Sequence, residues 1–308
     1  KMGRYVLKRI GSMVITLFVI TTFTFIMMHL VPGGPFTSEK KLPPEIERAL
    51  AEKYNLNDPI STQYFDYLKG VAQGDLGPSF KYKGRDVSGM IADYFPVSAQ
   101  LGGIAIAVIL LIGVPIGVIS ALKQGTWLDS FVMLFAILGV TIPSFVLAAL
   151  MIYVFGVKLK VLPTSRWASP KHMVMPVFAL AAYSVAFIAR LTRSSMLEVI
   201  QQDYIRTARA KGLSEGVVVF KHALKNALIP IVTYIGPMAA GILTGSFVIE
   251  KIFAIPGMGR MFVESISNRD YTVIMGVTIF YAAILVVMVF IVDLVYGVID
   301  PRIKIDED

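Results

Sequence analysis

Cysteine is absent from this 308-residue chain, and histidine, at 3, and tryptophan, at 2, are nearly so. No disulfide framework, thiolate metal site or cysteine nucleophile can therefore be built. His29, His172 and His222 stand far apart, with no HExxH and no GxSxG stretch, which leaves no constellation for metal or acyl-transfer chemistry. A GxxxxGKS/T phosphate loop is also missing, so the chain is expected not to be an enzyme and to have no ATPase site of its own. Charged residues make up only 16% and hydrophobic residues 56%, with a mean hydropathy of +0.69. That is more apolar surface than a soluble core of this length hides, and it points to a bilayer. The net charge of +8 then reads as basic anchors on cytoplasmic loops, with no nucleic-acid partner expected.

What is there is a series of apolar runs, at residues 10–31, 97–122, 128–157, 173–188, 229–249 and 273–299. Most reach the ~20 residues that a spanning helix needs. Basic residues Lys1, Arg4, Lys8 and Arg9 precede the first, with no acid among them. A cleaved signal peptide would have a shorter apolar core and small residues at its end; Met28-His29-Leu30 offers none, so a retained helix is expected. Between the first two runs, residues 32–96 are soluble in character. Pro43-Pro44 can open an amphipathic helix at 45–54, and a second short helix passes through Tyr64, Phe65, Tyr67 and Leu68 before Gly70. The chain thus divides into a cytoplasmic N-terminus with the first span (1–31), an extracytoplasmic segment (32–96), a five-span core (97–299) with a polar hairpin at 198–228, and a cytoplasmic tail (300–308). Six spans put both termini on the cytoplasmic side. Lys and Arg in the short loops favour that orientation, although Lys158, Lys160, Arg166 and Lys171 run against it.

The spans are interrupted by small residues and prolines: Gly113-Val-Pro-Ile-Gly117, Gly139 with Pro143, Gly236-Pro237 and Gly241-Ile-Leu-Thr-Gly245. Small residues four apart let backbones approach, and proline frees a carbonyl; ordinary bundle packing and a moving pathway both use such breaks. Asp293 is the clearest charge within a span and is expected to pair with Arg190 or Arg302. A proton-coupled secondary transporter would need more buried carboxyls. Between the last two spans, Glu250, Phe253, Pro256, Gly257, Gly259 and Arg260 mark an irregular turn. Such backbone survives at membrane depth only inside protein or against water, so it is expected to fold back at the outer mouth of the bundle.

A long basic, polar stretch between apolar runs is residues 203–228. Good helix formers run to Lys211, Gly212 stands where a left-handed residue is favoured, and Ser214 can cap a second helix from Glu215. Arg206, Arg209, Lys211, Lys221 and Lys225 make this hairpin cationic, while Ile205, Ala208, Val217, Val219 and Leu224 are its expected apolar contacts. A plain helical hairpin on a membrane surface would show the same pattern.

These stretches together resemble the B-type permease subunit of oligopeptide/dipeptide ABC importers. Pro32-Gly33, Leu56-Asn-Asp-Pro59, Gln63-Tyr64, Gly74-Asp-Leu-Gly77 with Ser79-Phe80, the 204–228 stretch, Arg269-Asp270-Tyr271 and Asp300-Pro-Arg302 carry the likeness. Against the general coupling-loop pattern of ABC importer permeases, Glu-Ala-Ala, three residues, Gly, only Ala208 and Gly212 match; Arg206 and Thr207 replace the Glu and the first Ala. The resemblance implies an all-α membrane protein with six transmembrane helices of the type I ABC importer permease kind and a small extracytoplasmic helical insertion. It implies a homologous C-type permease subunit, two cytoplasmic ABC ATPase subunits that bind ATP and Mg, an extracytoplasmic peptide-binding protein, and a bacterial or archaeal cytoplasmic membrane. Arg206, Thr207, Ala208, Arg209, Gly212 and Leu213 become the expected ATPase-coupling residues, and the 250–260 turn the expected outer substrate path. Nickel-chelate and glutathione importers use similar permeases and are the alternatives.

Overall fold

The computed structural model describes residues 2–32, 34–35 and 44–299. Within them lie helices α1 (Met2–Leu30), α2 (Pro44–Lys53), α3 (Ile60–Ala72), α4 (Val87–Val108), α5 (Val114–Leu122), α6 (Trp127–Thr141), α7 (Ser144–Met151) and α8 (Pro170–Ile200). There follow α9 (Asp203–Ala210), α10 (Glu215–Val217), α11 (Leu224–Ala227), α12 (Ile229–Leu243), α13 (Phe247–Ile252), α14 (Met258–Asn268) and α15 (Tyr271–Ile299). Among the described residues the one β-bridge joins Pro78 to Asp86. The expected tail 300–308 with Asp300-Pro-Arg302, and residues Lys1, Gly33 and Pro43, lie outside the described residues.

Among the described residues five helices are long and apolar enough to cross a membrane, and the bent pair α6–α7, counted as one broken span, brings the number to six. The second span extends back to Val87, before residue 97, because Asp86 caps it: the carboxylate accepts from the Gly89 N–H at 2.7 Å. Pro96 sits inside that helix instead of starting it. A π-helical stretch, Ile109–Gly113, leads into α5, where Pro115 removes a donor; the widened turn absorbs the defect and the helix continues to Leu122. In the third span the defect is not absorbed. The chain turns by 103° between α6 and α7, with Ile142 extended before Pro143.

α8 is the axis of the bundle, and glycines set how closely α5 and α6 approach it. A Cβ on Gly117 would lie 2.5 Å from the Ala189 carbonyl oxygen, and one on Gly139 2.8 Å from the Ala186 Cβ. A buried polar group pins the same three helices at the hairpin end. Asp129, at the start of α6, accepts from Arg193 Nε (2.7 Å) and Nη2 (2.8 Å) on α8, from Ser120 Oγ on α5, and from the Gly125 N–H (3.1 Å). Asp129 is 4% exposed.

The other flank packs α1 against α15, and the anticipated partner of Asp293 is corrected there. Arg9 of α1 pairs with Asp293 at 2.8 Å, because α1 runs beside the last helix and brings its basic end to that depth. Arg190 lies elsewhere on α8. The short helices α2 and α3 lie at the opposite end, where Tyr64 OH meets Thr22 Oγ1 of α1 at 2.7 Å and Phe25 stacks on Tyr67 at 6.0 Å. α3 runs through Gly70 to Ala72.

Candidate functional site

The hairpin closes as its composition dictates. Gly212 adopts φ +77°, its N–H donates to the Arg209 carbonyl at 2.9 Å, and the chain reverses into α10. Ser214 occupies the cap position but no side-chain bond forms; its carbonyl accepts from Val218 at 3.0 Å. Arg209 supplies the lock instead, donating from Nε to Glu215 Oε1 (2.8 Å) and from Nη2 to Oε2 (3.2 Å). The guanidinium holds the Glu215 carboxyl below the usual glutamate range, and Glu215 in turn raises Arg209. A depressed carboxyl contributes stability above its unfolded pKa and loses it as pH falls through the folded one. Carboxyl NMR should therefore show Glu215 titrating at lower pH than in the Arg209→Gln variant; coincident midpoints would remove the lock.

One face of the hairpin is buried against the bundle. Ile205, Ala208, Val218, Val219, Ala223 and Ala227 pack with Val118 and Ala121 of α5 and Met196 of α8, and Ser195 Oγ donates to the Ala227 carbonyl at 2.9 Å. The hairpin is thus seated on the unit that Asp129 pins together. Its other face is open. Arg206, Thr207, Arg209 and Gly212 are exposed, Ala208 is buried, and Leu213 is 39% exposed. Val217, expected as a buried contact, is 40% exposed, because the π-helical stretch Val218–Ala223 rotates Val218 and Val219 inward in its place. Tyr204 and Phe220, which is 69% exposed, are further exposed aromatic residues of the hairpin, which also exposes Arg206, Arg209 and Lys221. Reasoning from sequence missed Phe220. An aromatic among basic residues beyond the last span was the available signal.

The turn at 250–260 is built around one carboxyl group. α12 stops at Leu243, and the chain bends at Gly245 (φ +99°) before Ser246 caps α13, which carries the fifth span on to Ile252. Glu250 is fully buried and receives Ser98 Oγ on Oε1 (2.7 Å) and the Arg260 N–H on Oε2 (3.1 Å); Ser98 Oγ accepts from the Met258 N–H at 2.8 Å. The Glu250 carboxylate sits at the start of α14, where Gly257 at the cap position offers no side chain. A Cβ on Gly257 would stand 2.4 Å from Glu250 Oε2, and one on Gly259 3.0 Å from the Phe247 nitrogen, so both glycines make room for the turn. Phe253 is buried and its carbonyl accepts from the Arg166 N–H at 2.9 Å; Pro256 is exposed, and the Arg260 side chain pairs with Glu264 at 2.8 Å. The structure therefore brings all six residues into one turn, with Glu250 and Phe253 facing protein.

A third cluster joins the cap segment to the last helix. The buried Asp270 carboxylate accepts from Ser79 Oγ and from the Phe80 N–H (3.1 Å), and Thr272 Oγ1 donates to the Pro78 carbonyl at 2.6 Å. Beside it lies a cavity of about 780 Å³, lined by His29, Gln63, Tyr67, Phe80, Tyr271 and neighbours. Among the described residues no His, Cys, Asp or Glu cluster could hold a metal ion.

A bundle of apolar helices on one long axis, broken at glycine and proline and carrying a cationic hairpin beyond the spans, defines a polytopic membrane transport subunit. The chain belongs to the family described as binding-protein-dependent transport system inner membrane component, matched over residues 113–305, with its N-terminal family part matched over 2–102. It is 53% identical over 304 residues to the dipeptide transport system permease protein DppB of Bacillus subtilis (strain 168), covering 99% of each chain. It is 50% identical to the oligopeptide transport system permease protein OppB of Salmonella typhimurium over 305 residues, covering 98% of this chain and all of that one. Among solved structures, an inward-facing form of the MetNI methionine ABC transporter aligns with a TM-score of 0.51 at 17% identity, over 68% of this chain and 96% of that one. That likeness speaks for the fold.

Proposed function

We propose that this chain is the B-type permease subunit of an ATP-driven importer of dipeptides or oligopeptides in a bacterial cytoplasmic membrane. Relatives carrying those names match it over nearly its whole length. In this reading the hairpin end faces the cytoplasm and the α2–α3 end faces outward. A homologous C-type permease completes the pathway, two ABC ATPase subunits bind ATP and Mg, and an extracytoplasmic binding protein delivers peptide.

The observation that carries the mechanism is the two-faced hairpin. Its inner face is packed into α5 and α8, while Tyr204, Leu213, Val217 and Phe220 are exposed on the polar stretch between two candidate spans. Exposed apolar side chains among basic ones on one hairpin fit a protein cleft better than water. Closure of the ATPases on ATP would push on this hairpin. Because Asp129 ties α5, α6 and α8 together, the push would move those helices as one body and alternate the access of the pathway.

The test is reconstitution of the purified assembly in vesicles with ATP and peptide. Two ATPases and a second permease should co-purify, and uptake should require ATP. At Gly212 an added Cβ meets no atom within 4 Å, so only the left-handed backbone resists substitution. Gly212→Asn should keep most uptake, whereas Gly212→Val, at a cost of about 1–2 kcal/mol, should let ATP hydrolysis continue while uptake falls. Equal uptake in both variants would remove the hairpin from the coupling route.

A further inference from the structure

The exposed faces of the long helices differ in chemistry. On α6 they present Trp127, Phe131, Leu134, Phe135, Ile137 and Leu138, and on α15 Leu285, Val287, Ile291, Leu294 and Val295, as lipid requires. On α8, from Tyr183 to the hairpin, every exposed position is polar: Tyr183, Arg190, Ser194 and Glu198. Those residues recur at helical spacing and form one stripe. On α12 the exposed positions are Pro230, Thr233, Pro237 and Gly241, with no large apolar side chain among them. The two faces adjoin, because Phe187 of α8 stacks on Tyr234 of α12 with ring centroids 4.3 Å apart, and Tyr183 continues the stack at 6.4 Å.

Arg190 stands on this stripe, one turn from the buried Arg193–Asp129 pair on the side away from the hairpin. Among the described residues no carboxylate pairs with it. An unpaired guanidinium facing hydrocarbon is unfavourable, and water or an anion opposite this face satisfies it. We propose that the α8–α12 face is the water-facing wall of the translocation path, and that Arg190 is its fixed cation, which receives a carboxylate of the passing peptide beside the Tyr183–Phe187–Tyr234 stack. Arginine suits this task because its planar fork binds carboxylate in two parallel hydrogen bonds and stays charged. The aromatic faces would accept apolar side chains of any sequence, so the wall takes hold of a feature common to peptides and leaves side-chain identity unread. This deepens the importer reading and depends on it.

The chain has no cysteine, so one introduced thiol is a unique probe on it. In the assembled importer, Tyr183→Cys, Ser194→Cys and Thr233→Cys should each react with small charged, membrane-impermeant thiosulfonates, while Leu285→Cys on the lipid face should not. At Ser194→Cys the anionic reagent should outpace the cationic one by roughly tenfold, as a cation in a confined site focuses the local potential. Adding Arg190→Gln should abolish that preference and Arg190→Lys should retain it. Transported peptide should slow labelling with Arg190 present and protect less in the Gln variant. No labelling at the three polar positions would mean that lipid or the second permease covers the face, which overturns the proposal. Labelling without charge preference, or with a preference unchanged by Arg190→Gln, would overturn the role of Arg190. Either failure, in a complex that still holds its ATPases and takes up peptide, leaves the importer reading standing.

Discussion

Asp129→Ala is expected to destabilise the assembled protein by about 3 kcal/mol, the lower end for removing one member of a buried ion pair. The lower end applies because the Arg193 side chain keeps 23% of its surface in solvent. Three partners lose their acceptor together: the Arg193 fork, the Ser120 hydroxyl and the Gly125 N–H. Thermal unfolding in mild detergent would show a clear drop in midpoint, and Asp129→Asn should fall between, since its amide keeps one acceptor oxygen. The functional signature separates this from ordinary loss of packing. If the pin carries the stroke from the hairpin to α5 and α6, Asp129→Asn should retain ATP hydrolysis and lose most uptake per ATP. A variant that melts early but keeps its uptake per ATP would show the pin to be a matter of stability alone.

Glu250→Ala should also be costly, by about 3 kcal/mol or more. It empties a fully buried site and leaves the Arg260 N–H and the Ser98 hydroxyl without their acceptor. Glu250→Gln keeps the volume but turns an amide N–H₂ toward one of those donors, so an intermediate loss is expected. Gly257→Ala approaches the same seat from the other side, because its Cβ would lie 2.4 Å from Glu250 Oε2. Agreement between Glu250→Ala and Gly257→Ala in unfolding midpoint and in protease sensitivity near 245–260 would confirm that the carboxyl holds the turn closed. A wild-type midpoint in both would refute it.

Much of this arrangement is legible in the residues. The apolar runs marked the five long helices and the bent pair α6–α7, Pro143 marked the break that becomes a bend, and Gly212 marked the left-handed turn. Boundaries were less legible. The second span was taken to start at residue 97, but a carboxylate at Asp86 is a stronger start signal than the proline at 96 is a stop. The fifth span does run past 249, to Ile252, but the bend inside it at Gly245, which takes positive φ, was not legible because residues 244–246 are not polar enough to break a hydropathy run. Partner choice was least legible. Asp293 finds Arg9, from the far end of the chain, and Asp129 escaped notice because a single acid at a helix start reads as an ordinary cap. Glu250 was singled out for the outer substrate path, but its full burial was not foreseen, and Gly257 is what makes room for its carboxyl.

The bonds around Asp270 have a consequence for the order in which the protein can be completed. Ser79 and Phe80 belong to a segment made early, and their acceptor lies 191 and 190 positions later, at the start of the final helix. Arg9 likewise waits for Asp293. A nascent chain can therefore join its cap segment to its first helix early, through Tyr64 and Thr22, but the contacts that fix both to the rest of the bundle wait until α15 enters the membrane. Chains that end before α15 should be recognised as incomplete and degraded, whereas chains that reach it close at the front and the back together.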